Sequence, residues 1–176
     1  MSGPAAEFDP VSEPPRFIAE VRDYWSGKCA SGRLPSRADI RPSELKAWLP
    51  YVLLVDVAND GADFVYRLVG TRIARDFTAS PTGRLMSEAL QPFGDETVTS
   101  TIATYRRVVT SGMPLRIRGS GALYGQHSKF FDAILMPLSD DGENVNMVFG
   151  GFFFEWDHDN AYDYVPGAIS PLLRRA

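Results

Sequence analysis

Cysteine and histidine are scarce in this chain of 176 residues, which contains one cysteine and two histidines. A single cysteine excludes an internal disulfide and any multi-cysteine zinc or iron–sulfur site. His127 and His158 leave little for a metal cluster. No apolar run reaches the roughly 20 residues that span a bilayer, and the first residues lack the apolar core of a signal peptide. We therefore expect a cytoplasmic protein that has no membrane partner.

An excess of positive charge is also missing. The chain has 18 Lys and Arg residues against 22 Asp and Glu residues, a formal net charge of -4. This balance disfavours a cationic nucleic-acid-binding protein, because such a protein neutralises phosphates with clustered basic side chains. With 44% hydrophobic residues, a chain of this length buries roughly 70% of the surface that its unfolded form exposes. The composition indicates one ordinary globular domain with no nucleic-acid partner.

The N-terminal part has an aperiodic tail followed by helical patterns. Residues 1–15 hold four prolines and no apolar period, which predicts a tail. A helix is predicted from Arg16 to about Gly32, because its apolar residues share one face: Phe17, Ile18, Val21, Tyr24 and Trp25. A second short helix is predicted at Pro42–Leu49, between a first-turn proline and the stop at Pro50. Residues 16–50 are thus expected to form a helical extension.

The rest of the chain predicts one antiparallel sheet interrupted by helices. β-Branched apolar runs and turn signals indicate a strand hairpin, then helical segments, then a three-strand meander. This order favours an α+β fold over a doubly wound α/β fold. The domain is expected to cover residues 51–155, with a C-terminal tail at 156–176. The predicted strands are 51–57, 64–69, 115–123, 129–138 and 145–154, and the predicted helices are 71–77, 84–90 and about 94–111.

Four short segments carry a resemblance to a known family. They are LPSRADI at 34–40 with Leu49-Pro50 after it, YRLVGT at 66–71, TGR at 82–84 and MPLS at 136–139. In this order and spacing, they resemble a bacterial family of single-domain PAS proteins with an N-terminal helical extension. The glycines in the second and third segments also have a structural reading, as turns before helices. The resemblance covers about residues 16–155.

The resemblance implies a PAS-like five-stranded antiparallel sheet with helices on one face, preceded by an N-terminal helix. The function it implies is that of a sensory or regulatory module that binds a small molecule, a signalling protein, or both, without catalysis. Because the chain ends soon after the sheet, we expect no output domain. In PAS-like proteins, a leading helix packs on the outer face of the sheet or against its twin. The breadth of its apolar face predicts a homodimer.

The cofactors of the best-known PAS proteins do not fit this sequence. Flavin-binding light sensors of this fold carry a cysteine motif in the helical insert, and residues 71–111 have no cysteine. Haem-binding PAS domains supply an axial histidine from the long helix, and residues 94–111 have no histidine. The resemblance therefore disfavours both cofactors, although unusual ligation by His127 stays open. The cofactor is unknown.

A ligand site is predicted between the sheet and the helical insert. Strand residues alternate between faces, and alignment with cofactor-holding PAS domains puts Phe131, Ala133 and Leu135 inward. Ala133 leaves room between its larger neighbours, and Tyr105 is expected opposite. Tyr66 or Arg116 would supply polar contacts to a ligand. The alternative is a fully packed core in which the aromatic rings only fill space.

Asp132, in the middle of an apolar strand, supports the main alternative function. An isolated strand carboxylate is a candidate general base, here on a cone-shaped, isomerase-like α+β fold. The competing interpretation is an ion pair with Arg67, Arg116 or Arg118 on a neighbouring strand, since opposite charges often pair across strands. We favour the ion pair, and therefore predict no catalytic residue.

The remaining candidates favour structural roles. Cys29 is expected to be a structural cysteine on the N-terminal helix rather than a nucleophile. His158 lies among acidic residues that could hold a divalent ion, but the segment is expected to be a solvated tail, so no metal site is predicted. Residues 101–129 hold five basic residues and no acidic one, whereas 130–173 hold eight acidic residues and no Lys or Arg. Opposite charges on adjacent strands would mostly satisfy each other, with an anionic ligand or acidic partner as the alternative.

Overall fold

A five-stranded antiparallel sheet forms the centre of the computed structural model, which describes residues 14–30, 32–75, 77–120 and 128–156. The strand order is β2-β1-β5-β4-β3. The last strand therefore lies at the centre, where it joins the first hairpin to β4. This arrangement confirms the predicted α+β class. The strands are β1 (Val52–Ala58), β2 (Asp63–Val69), β3 (Leu115–Ser120), β4 (Ser128–Leu138) and β5 (Met147–Trp156).

Helices cover both faces of this sheet. α1 contacts β4 and β5 on one face, which we call the outer face, and α4 contacts the same two strands on the opposite, inner face. Of the described helices, none is long and apolar enough to cross a membrane. The helices are α1 (Arg16–Lys28), α2 (Thr71–Ala74), α3 (Met86–Ala89) and α4 (Asp95–Ser111).

Four helix predictions differ from the structure in their ends or their type. The helices predicted at 71–77 and 84–90 are observed as the shorter α2 and α3. α1 ends at Lys28, before the expected stop at Gly32, because Cys29 is already extended. The segment 42–49 forms successive turns, and the predicted helix there is wrong. The seven residues between Pro42 and Pro50 are too few for helix propagation to offset the cost of nucleation. Burial of Leu45 against the outer face instead fixes the local turns.

Strand alternation divides the buried side chains into two cores. The inner core lies between the sheet and the helical insert, and the outer core lies between the sheet and the extension. On β4, Phe131, Ala133 and Leu135 belong to the inner core, as the predicted facing requires. Ile134 and Met136 belong to the outer core. The two cores explain why β4 and β5 are apolar on both faces.

The apolar face of α1 packs on the sheet of its own chain. Phe17, Ile18, Val21 and Trp25 are buried there, and the Trp25 indole donates a hydrogen bond of 2.9 Å to the carbonyl oxygen of Pro137. Gly151 permits the close approach, since a Cβ at that position would lie 3.0 Å from a Val21 methyl group. The predicted homodimer rested on this face, and the structure uses the face within the chain.

The second and third family segments meet beside β2. A Cβ on Gly70 would lie 2.3 Å from the Pro50 carbonyl oxygen, so only glycine fits there. Gly83 has φ +84°, which also favours glycine. Its N–H donates to the Tyr66 carbonyl oxygen at 2.7 Å, and the Tyr66 N–H donates to the Arg84 carbonyl oxygen at 3.1 Å. These glycines therefore serve structural roles.

The first and fourth family segments bind each other at the opposite end of the sheet. The Ser139 N–H donates to the Pro35 carbonyl oxygen at 2.9 Å, and the Leu34 N–H donates to the Gly142 carbonyl oxygen at 3.2 Å. The Arg33 guanidinium also donates to the carbonyl oxygen of Asp141. The N-terminal extension is consequently part of the domain rather than a separate appendage.

Candidate ligand-binding site

The inner core contains five of the six residues predicted to bind a ligand. Phe131, Ala133 and Leu135 come from β4, Tyr66 comes from β2 and Tyr105 comes from α4. All five are buried. The sequence period of two brings the β4 residues to one face, whereas only the tertiary fold brings the two tyrosines to them. The structure therefore brings these five residues into one core, between α4 and the sheet.

Aromatic rings surround this site. Tyr105 packs against Phe64 with ring centroids 5.4 Å apart, and Phe131 packs against Phe152 at 6.1 Å. Tyr66 packs edge to face on Phe77 at 5.6 Å, the geometry that the ring quadrupoles favour. The side chains thus give the inner core an aromatic wall that includes the phenol rings of Tyr66 and Tyr105.

Small residues lie on the inner face of β4 and β5. Ala133 pairs with Ile117 on one side and with Phe152 on the other. Gly150 is close to Leu135 and Leu53, whose methyl groups would lie 3.1 Å and 3.0 Å from a Cβ added there. The space beside Gly150 is therefore filled by its neighbours. Ala133 is the smallest of the predicted site residues, and it is fully buried. A larger side chain at this position would therefore directly change the packing of the inner core.

Arg116, the sixth predicted residue, lies on the opposite face. Its Nε donates to Asp132 Oδ1 at 2.9 Å and its Nη2 donates to Oδ2 at 2.5 Å. Both residues belong to the even-numbered set of β4 and β3 that faces α1, because side chains alternate along a strand. The structure does not bring Arg116 together with the other five residues.

Asp132 has the ion pairs that its sequence position suggested. The residue is 1% exposed, and Nε of Arg118 lies 3.5 Å from Oδ2. With Arg116 bound in a two-pronged arrangement, two guanidinium groups surround one buried carboxylate. Both oxygens of the Asp132 carboxylate thus accept charge-assisted hydrogen bonds from Arg116. The preferred ion-pair interpretation is confirmed, with Arg116 and Arg118 as the partners.

Arg72 and Asp63 are buried polar residues that the sequence analysis did not select. Arg72, in α2, is 5% exposed. The Asp63 carboxylate accepts hydrogen bonds from the Ser87 hydroxyl at 2.5 Å and from the Phe64 N–H at 2.8 Å. Asp63 therefore ties the start of β2 to α3. A signal for Arg72 was its place directly after the strand-to-helix turn at 70–71, one residue beyond the family segment at 66–71.

A groove on the outer face was also not predicted. It has a volume of about 240 Å³ and lies between the first turns of α1, the start of β3 and the middle of β4. No local sequence pattern marks it, because its walls come from three separate parts of the chain. Its lining residues are Pro14, Ile18, Ala19, Arg22, Pro114, Arg116 and Ile134.

The described part of the chain holds no group of three His, Cys, Asp or Glu residues with metal-binding geometry. His127 and His158 lie outside the described residues. Cys29 is partly buried, and burial raises the pKa of its thiol. The raised pKa disfavours the thiolate that a nucleophilic cysteine needs.

Comparison with known proteins identifies the family. No curated protein matches the chain. The crystal structure of a Rhodobacter sphaeroides LOV protein is similar over 69% of this chain and 72% of that one, at 16% identity and a TM-score of 0.39. A family model described as a PAS domain matches residues 15–153, which is well over half of the chain. The chain therefore belongs to the PAS domain family.

Proposed function

We propose that this protein is a sensory or regulatory PAS module that binds a small molecule in its inner core. Family membership supports the sensory role in general. The observation that carries the ligand site is the position of Ala133. This small side chain lies between Phe131 and Leu135 on the inner face, in the same core as Tyr66 and Tyr105.

The chemistry of the inner core favours a neutral, largely aromatic ligand. Its walls are aromatic rings and aliphatic side chains, which is the usual composition of a small-molecule site. The Tyr66 and Tyr105 hydroxyl groups would orient the ligand by hydrogen bonds. Binding would bias the packing of α4 on β4 and β5, which is how a binding event in the core would reach the protein surface.

The proposal includes no catalysis. The enzyme alternative needed Asp132 as a base in an aromatic pocket, but Asp132 faces the outer core and is bound to two arginines. The signal would instead pass to a protein partner or through a homodimer, and PAS domains commonly do both. A homodimer and a cytoplasmic address stay predictions. Sedimentation of the protein at about tens of micromolar, the concentration range of weak interfaces, tests the homodimer.

The experiment compares Ala133→Phe with Ala103→Phe, an exposed position on α4. The probe is N-phenyl-1-naphthylamine, a neutral aromatic molecule whose fluorescence rises in apolar sites. If the inner core has a ligand cavity, Ala133→Phe keeps the melting temperature and loses saturable probe binding, whereas Ala103→Phe keeps both. Native and denatured mass spectrometry of the purified protein shows in parallel whether a small molecule co-purifies.

A fully packed core gives a different result. Ala133→Phe would then overpack the core and lower the free energy of unfolding by about 1–3 kcal/mol. The unaltered protein would show no saturable probe binding and no co-purifying molecule. That combination would refute the proposed ligand site and leave only the family assignment.

A further inference from the structure

The turn at residues 59–62, which joins β1 to β2, has a backbone conformation that most residues adopt rarely. Asn59, Asp60 and Gly61 have φ values of +50°, +54° and +83°, in the left-handed region where a side chain crowds the following carbonyl oxygen. Glycine accepts this region freely, and asparagine and aspartate tolerate it better than other residues. The Ala62 N–H closes the turn with a hydrogen bond of 3.0 Å to the Asn59 carbonyl oxygen. A strained segment of this kind persists only where its surroundings hold it.

Arg106 of α4 binds this turn from a distant part of the chain. Its Nε donates to the Gly61 carbonyl oxygen at 2.9 Å, and its Nη2 donates to the Ala62 carbonyl oxygen at 3.4 Å. One guanidinium can reach both oxygens because its N–H groups form a planar fork. Gly61 is buried, whereas Asn59 and Asp60 are exposed. Arg106 thus connects α4 to a turn that lies at the protein surface.

The residue before Arg106 belongs to the candidate ligand site. Tyr105 is 3% exposed, and its ring centroid lies 5.4 Å from that of Phe64. A ligand that enters between Tyr105 and the sheet therefore presses α4 and the sheet apart, because close-packed side chains leave little free space.

Of these two elements, α4 is the one that can move. β4 and β5 are inner strands of the sheet, and each is hydrogen-bonded to a strand on both sides. α4 packs on them through its side chains. Since Tyr105 and Arg106 are consecutive in one helix, a shift of α4 at Tyr105 also moves Arg106. The pair forms a direct route from the inner core to the turn.

We propose that the turn at residues 59–62 is the regulatory output of the inner core, and that Arg106 connects the two. This inference rests on the proposed ligand site. In the conformation described above, Arg106 keeps the turn left-handed. A ligand that displaces α4 weakens the hydrogen bonds from Arg106, so the strained backbone relaxes and the surface at Asn59 and Asp60 changes. Such coupling is reciprocal. Loss of the Arg106 hydrogen bonds should therefore strengthen ligand binding.

The test uses N-phenyl-1-naphthylamine and amide NMR of the full-length protein. In the unaltered protein, the amide signals of residues 59–62 should move saturably, with the same midpoint as the fluorescence of the probe. Hydrogen exchange of the Ala62 amide should become faster as its bond to Asn59 weakens. The internal control is the turn between β4 and β5, where the amides of Glu143 and Asn144 donate to Asp141. These two signals should not move.

Variants of α4 then test the connection. Arg106→Gln is expected to bind the probe about three-fold more tightly, because α4 no longer has to break its hydrogen bonds to the turn, and one such bond contributes a factor of about this size. Before any probe is added, its turn signals should already resemble those of the probe-bound unaltered protein. Arg106→Lys keeps the charge and a donor, and should lie between the two. The matched control is Arg107→Gln, which removes an exposed arginine from the next position and should change neither the affinity nor the turn signals.

Several results would overturn the proposal. They are probe binding that leaves the turn signals in place, equal effects of Arg106→Gln and Arg107→Gln, or weaker binding to Arg106→Gln. Each would refute the connection through Arg106 and leave the ligand site intact, because saturable binding would still occur. A lack of saturable binding to the unaltered protein would refute the ligand site and the connection together. The methyl spectrum of the inner core shows for each variant whether the fold is intact.

Discussion

Replacement of Asp132 by asparagine is expected to destabilise the fold strongly without affecting any chemistry. Asp132 is 1% exposed. Loss of its carboxylate would leave the guanidinium of Arg116, whose side chain is only 16% exposed, without its two-pronged partner. Removing one member of a buried pair typically costs about 3–5 kcal/mol, because the remaining charge is desolvated and uncompensated. Arg118, whose side chain is 33% exposed, keeps more contact with water, so we expect about 2–4 kcal/mol for Asp132→Asn.

The matched control is Asp56→Asn. Asp56 also pairs with an arginine across strands, at 2.7 Å from Arg67, but the arginine side chain is 59% exposed. An exposed pair contributes about 0–1 kcal/mol. Urea unfolding gives both free energies directly, and heating should show Asp132→Asn melting about 5–15 °C below the unaltered protein, given about 2–4 °C per kcal/mol for a domain of this size.

The comparison of the two variants decides the argument. If Asp132→Asn and Asp56→Asn lowered the free energy of unfolding equally, burial of the Asp132 pair would not matter and the reasoning would fail. If Asp132→Asn abolished a reproducible activity at an unchanged melting temperature, the non-enzymatic interpretation would be wrong. Asp132→Leu with Arg116→Met provides a further check. This double variant should recover much of the lost stability, because apolar side chains often replace a buried ion pair without cost.

Two further predictions concern the extension and its contacts. In a urea titration, Gly70→Ala should lower the free energy of unfolding by about 3 kcal/mol or more, since its Cβ would lie 2.3 Å from the Pro50 carbonyl oxygen. The control is Gly27→Ala, in open space on α1, which should be neutral or slightly stabilising. Hydrogen bonds from Ser36 lower the pKa of Asp39, so its contribution to stability should be present above the unfolded pKa, near 4, and be lost as the pH falls through the lower folded value. Asp39→Asn should therefore differ from the unaltered protein in melting temperature at pH 7 and converge with it in strong acid; a constant difference at all pH values would contradict this account.

The four family segments explain how the extension and the sheet form one unit. Gly70 receives the backbone of Leu49-Pro50 at van der Waals limits, and Ser139 binds Pro35 through the backbone. Each segment thus supports another that is distant in sequence. The residues of these segments hold distant parts of the backbone close together. The candidate ligand site lies elsewhere, in the inner core that these contacts help to shape.

Local patterns in the sequence were sufficient for the strands and for the faces of β4. The side-chain period of two is a property of any extended chain, so Phe131, Ala133 and Leu135 had to share one face wherever the strand lay. The charge pattern also predicted the Asp132 ion pair, because opposite charges on neighbouring strands attract each other. The end of α4 also agrees with the helix predicted at about 94–111, because Gly112 follows it with φ +62°.

Only the tertiary structure decided which surfaces these faces meet. An apolar helix face has the same sequence pattern whether it packs on its own sheet or on a second copy of the chain. In this structure, the hydrogen bond from Trp25 to Pro137 and the close approach at Gly151 hold α1 on its own sheet. Arg116 was expected near the inner ligand site, but the register of β3 on β4 places it beside Ile134 on the outer face. The outer groove depends on three segments that approach one another only in the folded chain. These features are non-local. Backbone pairing and close packing bring together residues that are far apart in the sequence, and no local sequence pattern predicts such contacts.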